Sequence, residues 1–125
     1  MSNRFPKEEK LKSEKLIERL FMEGKSLNQF PLRLIYLPLR FKKGGPIKAA
    51  VSVSKKNFSR AVDRNHIKRL LREAYRINRP ESFNNTTTHY ALMILYLGKD
   101  MPDFNLINPK LNRLLEKFST TIIDD

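Results

Sequence analysis

No cysteine occurs among the 125 residues, so the chain has neither a disulfide framework nor a thiolate metal site. Glycine is almost as scarce, with four copies, and none of them forms a phosphate-cradling loop. No serine stands in a G-x-S-x-G elbow. His66 and His89 are far apart in the chain, and neither has the carboxylate or histidine at i+3 or i+4 that a metal site on a helix uses. No run approaches the roughly 18 apolar residues of a membrane span. The opening MSNRFPKEEKLK lacks the apolar core of a signal peptide, and the expected location is the cytoplasm. Acids are also few, 13 against 25 Lys and Arg, for a net charge of +12. These absences disfavour a self-sufficient enzyme. The charge points to a polyanionic partner, either nucleic acid or an anionic membrane surface.

What is present fits one domain over residues 1–125, with residues 1–10 expected to be flexible. The hydrophobic share of 40% and the periodic segments are enough for a real core. Leu16, Ile17, Leu20 and Phe21 recur at helical spacing behind a candidate N-cap at Ser13, and Gly24 suits a left-handed C′ position. A strand over Leu32–Leu37 follows the lead-in Ser26–Phe30. It places Leu32, Leu34 and Tyr36 on one face and Arg33, Ile35 and Leu37 on the other. The turn Lys42–Pro46 predicts that the next strand, Ile47–Ser54, returns antiparallel beside it. Continued alternation would carry Ser52, Ser54 and Lys56 on one side. After a polar loop at 80–89, Tyr90–Leu97 is apolar on both faces, the mark of a central strand. Asn108 and Pro109 read as the N-cap and first residue of a last helix with Leu111, Leu114, Leu115, Phe118 and Ile122 inward. With the lead-in counted as a strand, the order is α-β-β-β-α-β-α, an α+β sandwich of three helices and a small mixed sheet.

The chain is organised around residues 50–79, AVSVSKKNFSRAVDRNHIKRLLREAYRINR. Nine Lys or Arg lie between Lys55 and Arg79 against Asp63 and Glu73 alone, +7 of the total +12. At about 100° per residue from Arg64, the residues Asn65, Lys68, Arg69, Arg72 and Arg76 fall between roughly 0° and 140°. Ile67, Leu70, Leu71, Ala74 and Ile77 fall between roughly 220° and 340°. Asp63 is the expected cap, or else Ser59, with Val62 and Ile67 as a staple. Five unopposed cations on one face repel one another, and an anionic partner relieves that cost. Helical Lys and Arg fit phosphates without reading sequence.

The stretch VSVSKKNFSRAVDRNHIKRLLREAYR resembles the signature of the protein subunit of bacterial ribonuclease P. Lys55, Lys56, Ala61, Val62, Arg64, Asn65, Ile67, Lys68, Arg69 and Arg72 match its strand, Lys-Lys, Ala-Val and Arg-Asn-x-Ile-Lys-Arg pattern. KLKSEKLIERLFMEG is similar to the family's first helix. The resemblance implies a left-handed crossover around the central helix and a partnership with a large catalytic RNA, one protein per RNA. It implies support for removal of the 5′ leader from precursor tRNA. The RNA then carries the hydrolysis with Mg²⁺, the protein binds no cofactor of its own, and no catalytic residue is expected in it. The resemblance assigns Arg64, Asn65, Lys68, Arg69 and Arg72 to the RNA, and His66 and Arg76 join them on the same helix. The family's leader cleft falls on Phe21, Ser52 and Lys56, with Ile17, Arg33, Ile35, Ser54 and Lys55 around them. His66 replaces a common Arg, so one position of the cationic face carries a titratable charge. Ile17 and Ile35 stand where the family often has aromatics, which predicts little base stacking. The rival reading is a general basic RNA-binding or ribosome-associated protein. A helix-turn-helix is disfavoured, because a strand precedes the basic helix.

Overall fold

The structure is a computed structural model describing residues 14–39, 47–81, 83 and 88–123. The order is α1 (Glu14–Glu23), β1 (Lys25–Gln29), β2 (Leu32–Pro38), β3 (Ile47–Val53), α2 (Ala61–Asn78), β4 (Tyr90–Tyr96) and α3 (Phe104–Ile123). This is the expected α+β order of three helices and a four-stranded mixed sheet. Ser13, the turn at 42–46 and residues 1–10 lie outside the described residues.

The sheet order is β1-β2-β4-β3. β2 is antiparallel to β1 and to β4, whereas β3 runs parallel to β4. The expected direction of β3 therefore holds, but β2 and β3 are not neighbours. β4 inserts between them because it is the strand with two apolar faces, and the middle of a two-sided core is where such a strand is most stable. Tyr90, Leu92, Ile94 and Tyr96 face one layer, and Ala91 and Met93 the other.

The larger core lies between the sheet and the pair α2 and α3. Leu32, Leu34, Tyr36, Ile47, Ala49 and Val53 meet Ile67, Leu71, Leu111, Leu114, Leu115 and Phe118 there. Rings of Tyr36, Phe83 and Tyr90 surround Phe118 edge-on, with centroids 5.2, 5.6 and 5.3 Å away. Phe83 is thus core, although its surroundings in sequence read as a polar loop. The smaller core lies under α1, where Leu20, Ile35, Ala91 and Met93 are buried with Leu16, Ile17 and Leu37 beside them. Burying each Leu, Ile or Met side chain there contributes about 1.5–3 kcal/mol.

Several local expectations are corrected. Gly24 does not have the positive φ of a left-handed cap. Its N–H donates to Leu20 O at 2.9 Å, and a β-carbon there would overlap that oxygen and the Ile35 side chain. Glycine is needed for close approach of helix to sheet. α2 is capped by neither Asp63 nor Ser59: its N-cap is Arg60, which makes no side-chain cap hydrogen bond, and Asp63 sits in the first turn. Val62 is exposed and forms no staple. Ile77 is half exposed while Tyr75 is fully buried, so the inward stripe is rotated toward Tyr75 by α3 packing on that side. α3 begins at Phe104, with Pro109 inside it. Asp103 Oδ1 accepts from Leu106 N at 2.9 Å and caps the helix, five residues before the expected start.

Candidate nucleic-acid interface

α2 presents its predicted residues in a graded way. Asn65, His66, Arg69 and Arg72 are exposed, while Arg64, Lys68 and Arg76 are half-buried. The difference follows from the rotated stripe: burying Tyr75 brings Arg64 and Lys68 to the edge of the core. Arg64 uses this position. Its Nη1 donates to Phe58 O and Ser59 O, both at 2.9 Å, and so fastens the segment that precedes its own helix. Nor is the cationic face free of acid. Arg76 Nη2 meets Glu73 Oε1 at 2.7 Å, and its Nε approaches Oε2 at 3.4 Å. That hydrogen bonding raises the Arg76 guanidinium above its usual pKa and cancels its charge locally. The outward cationic centre of α2 is therefore Arg69 and Arg72 with Asn65 between them.

The second group lies on the α1 side of the sheet. Strand register aligns Asn28, Arg33, Leu95 and Ser52 in one row across all four strands, and Ser26, Ile35, Met93 and Ala50 in the next. β4 thus separates the cleft residues of β2 from those of β3, and the expected direct contact between them does not form. Ile35 is buried beneath α1 and serves as floor, and Ile17 packs against the same cluster. Phe21 is 51% exposed, so it is no core residue and its ring is available to a ligand. Arg33 is exposed, with its Nε donating to Asn28 Oδ1 at 2.8 Å, and Ser52 and Leu95 are half-buried.

At the end of that row the chain leaves β3. The strand stops at Val53, so alternation does not carry Lys56 onto the Ser52 side. Ser54 Oγ accepts from Lys56 N at 3.1 Å, and Ser54 O accepts from Phe58 N at 3.1 Å. This turn raises Lys55 and Lys56, both exposed, at the sheet's edge. Sequence reasoning missed two residues beneath them. Phe58 is buried, its ring 6.0 Å from that of Tyr96. The Asn57 amide donates toward Gly98 O at 3.3 Å and Leu97 O at 3.5 Å. A single polar residue in a basic loop gave no sign of that role. Tyr96 OH donates to Asp100 O at 2.6 Å. Burial first, then the Asp100 carboxylate, raises the phenol above its ordinary value, which keeps it a donor. Among the described residues no three His, Cys, Asp or Glu side chains are grouped to hold a metal ion, and no helix is long and apolar enough to cross a membrane.

The arrangement can hold anionic chains in two places, along the outside of α2 and along the sheet row beside the Lys55–Lys56 turn. Comparison with known proteins places the chain in a family. Residues 5–119 match the Ribonuclease P family. The ribonuclease P protein component of Chlorobium phaeobacteroides is 36% identical over 126 residues, covering 90% of this chain and 86% of that one. The ribonuclease P protein of Thermotoga maritima superposes with a TM-score of 0.67 at 23% identity, over 87% of this chain and 96% of that one. That of Staphylococcus aureus gives the same TM-score at 20% identity, over 87% and 94%.

Proposed function

Because this chain belongs to the ribonuclease P protein-component family, we infer that it serves as the protein subunit of that endoribonuclease, assembling with an RNA partner to process the 5′ leader of tRNA. In the finer reading one protein joins one catalytic RNA and the pair acts on precursor tRNA in the cytoplasm. The outer face of α2 meets the catalytic RNA through Asn65, Arg69 and Arg72, with His66, Lys68, Arg64 and Arg76 at its margins. The leader lies along the row Arg33–Leu95–Ser52 between Phe21 and the Lys55–Lys56 turn, with Ser54 at the base of the turn. The observation that carries this assignment is spatial: cationic side chains gather at two places on one small fold, along the outside of α2 and along the sheet row that ends at the Lys55–Lys56 turn.

The physical task is electrostatic. Two RNAs repel, and a basic protein between them releases counterions from both. Helical Lys and Arg position phosphates without reading bases, while Asn65 can both donate and accept at sugar or base edges. A basic groove with one exposed ring can follow an extended single strand. The hydrolysis is assigned to the RNA, which binds the Mg²⁺ it requires. Among the described residues no three His, Cys, Asp or Glu side chains stand together to hold that ion.

Reconstitution with the cognate catalytic RNA tests the reading. Protein freed of RNA should leave precursor tRNA intact, and the mixture should release the leader at Mg²⁺ too low for the RNA alone. Cleavage by rigorously RNA-free protein would overturn the division of labour. Equal affinity of the assembled particle for precursor and mature tRNA would favour a general RNA-binding protein instead.

A further inference from the structure

The turn that carries Lys55 and Lys56 is held from below more firmly than its exposure suggests. Phe58 sinks its ring against Tyr96, Arg64 ties down the carbonyls of Phe58 and Ser59, and Ser54 closes the turn. These contacts all lie within or next to the β3–α2 segment, except for the Tyr96 ring. Asn57 reaches by hydrogen bond to another connection, the one that leaves β4. Its half-buried amide nitrogen has two hydrogens and two carbonyls to receive them, Leu97 O and Gly98 O. The receiving backbone is itself held. A β-carbon on Gly98 would overlap the Tyr96 phenol, and the phenol donates to Asp100 O. Asn57 therefore bridges two loops at the C-terminal ends of the parallel neighbours β3 and β4, more than 40 residues apart in sequence.

Two adjacent lysines repel and carry large rotamer freedom, so an untethered turn would lose much entropy on docking a phosphate chain. Fixing the backbone beneath them lowers that loss. We propose that Asn57 is a positioning residue for leader binding, which fastens the Lys55–Lys56 turn to the β4–α3 connection so that both ammonium groups stand at the end of the Arg33–Leu95–Ser52 row. This rests on the assignment of that row to the leader.

The test is a double-mutant cycle on the reconstituted particle, reading equilibrium affinity for precursor tRNA, mature tRNA and the catalytic RNA. Asn57→Ala should weaken precursor binding roughly three- to tenfold, the range to which one net hydrogen bond converts. Affinity for mature tRNA and for the catalytic RNA should not change. In the Lys55→Ala/Lys56→Ala background the same substitution should cost nothing more, because Asn57 acts through those lysines. An equal loss in both backgrounds overturns the proposal, as does an equal loss for all three RNAs, which would make Asn57 a plain folding contact. No loss at all also overturns it. Asn57→Ser, keeping one shorter donor, enters the same cycle if Asn57→Ala does not fold. The lysine pair alone separates the two levels. If its removal spares the preference for precursor, the leader assignment fails and the positioning role with it. If the preference is lost but Asn57→Ala changes nothing, only the positioning role fails.

Discussion

A methyl group at Gly24 has no room between the Leu20 carbonyl and the Ile35 side chain. Gly24→Ala must push α1 off the sheet, and overpacking of this kind costs about 1–3 kcal/mol. A denaturant midpoint unchanged from wild type would mean that the helix approaches the sheet less closely. His66 raises a different single-residue question. It is exposed on α2, where the related signature commonly has Arg. A guanidinium there adds a permanent charge facing phosphate, so His66→Arg should raise affinity for the catalytic RNA and steepen its slope against log salt by up to about 0.7–0.9. An unchanged slope would place His66 outside the contact. Both predictions belong to residues whose type was legible in the sequence. For Gly24 the reason was not: the neighbour that forbids a β-carbon is Ile35, brought there by β2.

α2 as an element is less uniformly cationic than its helical projection implies. Glu73 takes up the Arg76 fork, leaving Arg69 and Arg72 as the outward charges. Two substitutions should therefore move salt dependence in opposite directions. Arg69→Ala should lower the slope of log affinity against log salt by about 0.7–0.9, the worth of one phosphate contact. Glu73→Gln should free Arg76 and raise affinity, with a slope steeper by up to about the same amount. A slope indifferent to Arg69 would remove α2 from the RNA contact. The projection placed the charged sector well, since a 3.6-residue period needs only the sequence. It misjudged the apolar border, because whether Tyr75 or Ile77 turns inward depends on where α3 packs, and α3 is capped at Asp103 rather than Asn108.

At the scale of the molecule, the proposed leader row and the proposed RNA face of α2 are separate surfaces of one fold. Lys56→Ala should weaken precursor tRNA binding while sparing mature tRNA, since only the precursor carries a leader to lie along the sheet. The loss should shrink as salt rises, within the reach of screening at about 10 Å in 0.1 M salt. Equal weakening of both tRNAs would make the turn a general phosphate attractor. Buried Ile35 and half-buried Ile17 offer no ring to a base, so Phe21 is left to supply stacking there, at roughly 1–3 kcal/mol per base.

Local pattern alone determined the element order, the apolar faces of the strands, the two-faced β4 and the cationic sector of α2. Each of these follows from the period of side chains along one backbone segment, and the signature around Lys55–Arg72 supplied the family. Tertiary structure decided what joins distant segments. β4 lies between β2 and β3, so Arg33 and Ser52 share a row only across Leu95. Phe83 leaves a polar loop for the core, and Asn57 reaches the carbonyls after β4. Those outcomes depend on which surfaces bury the most apolar area together and which polar groups must then find partners, and neither quantity exists until the segments meet.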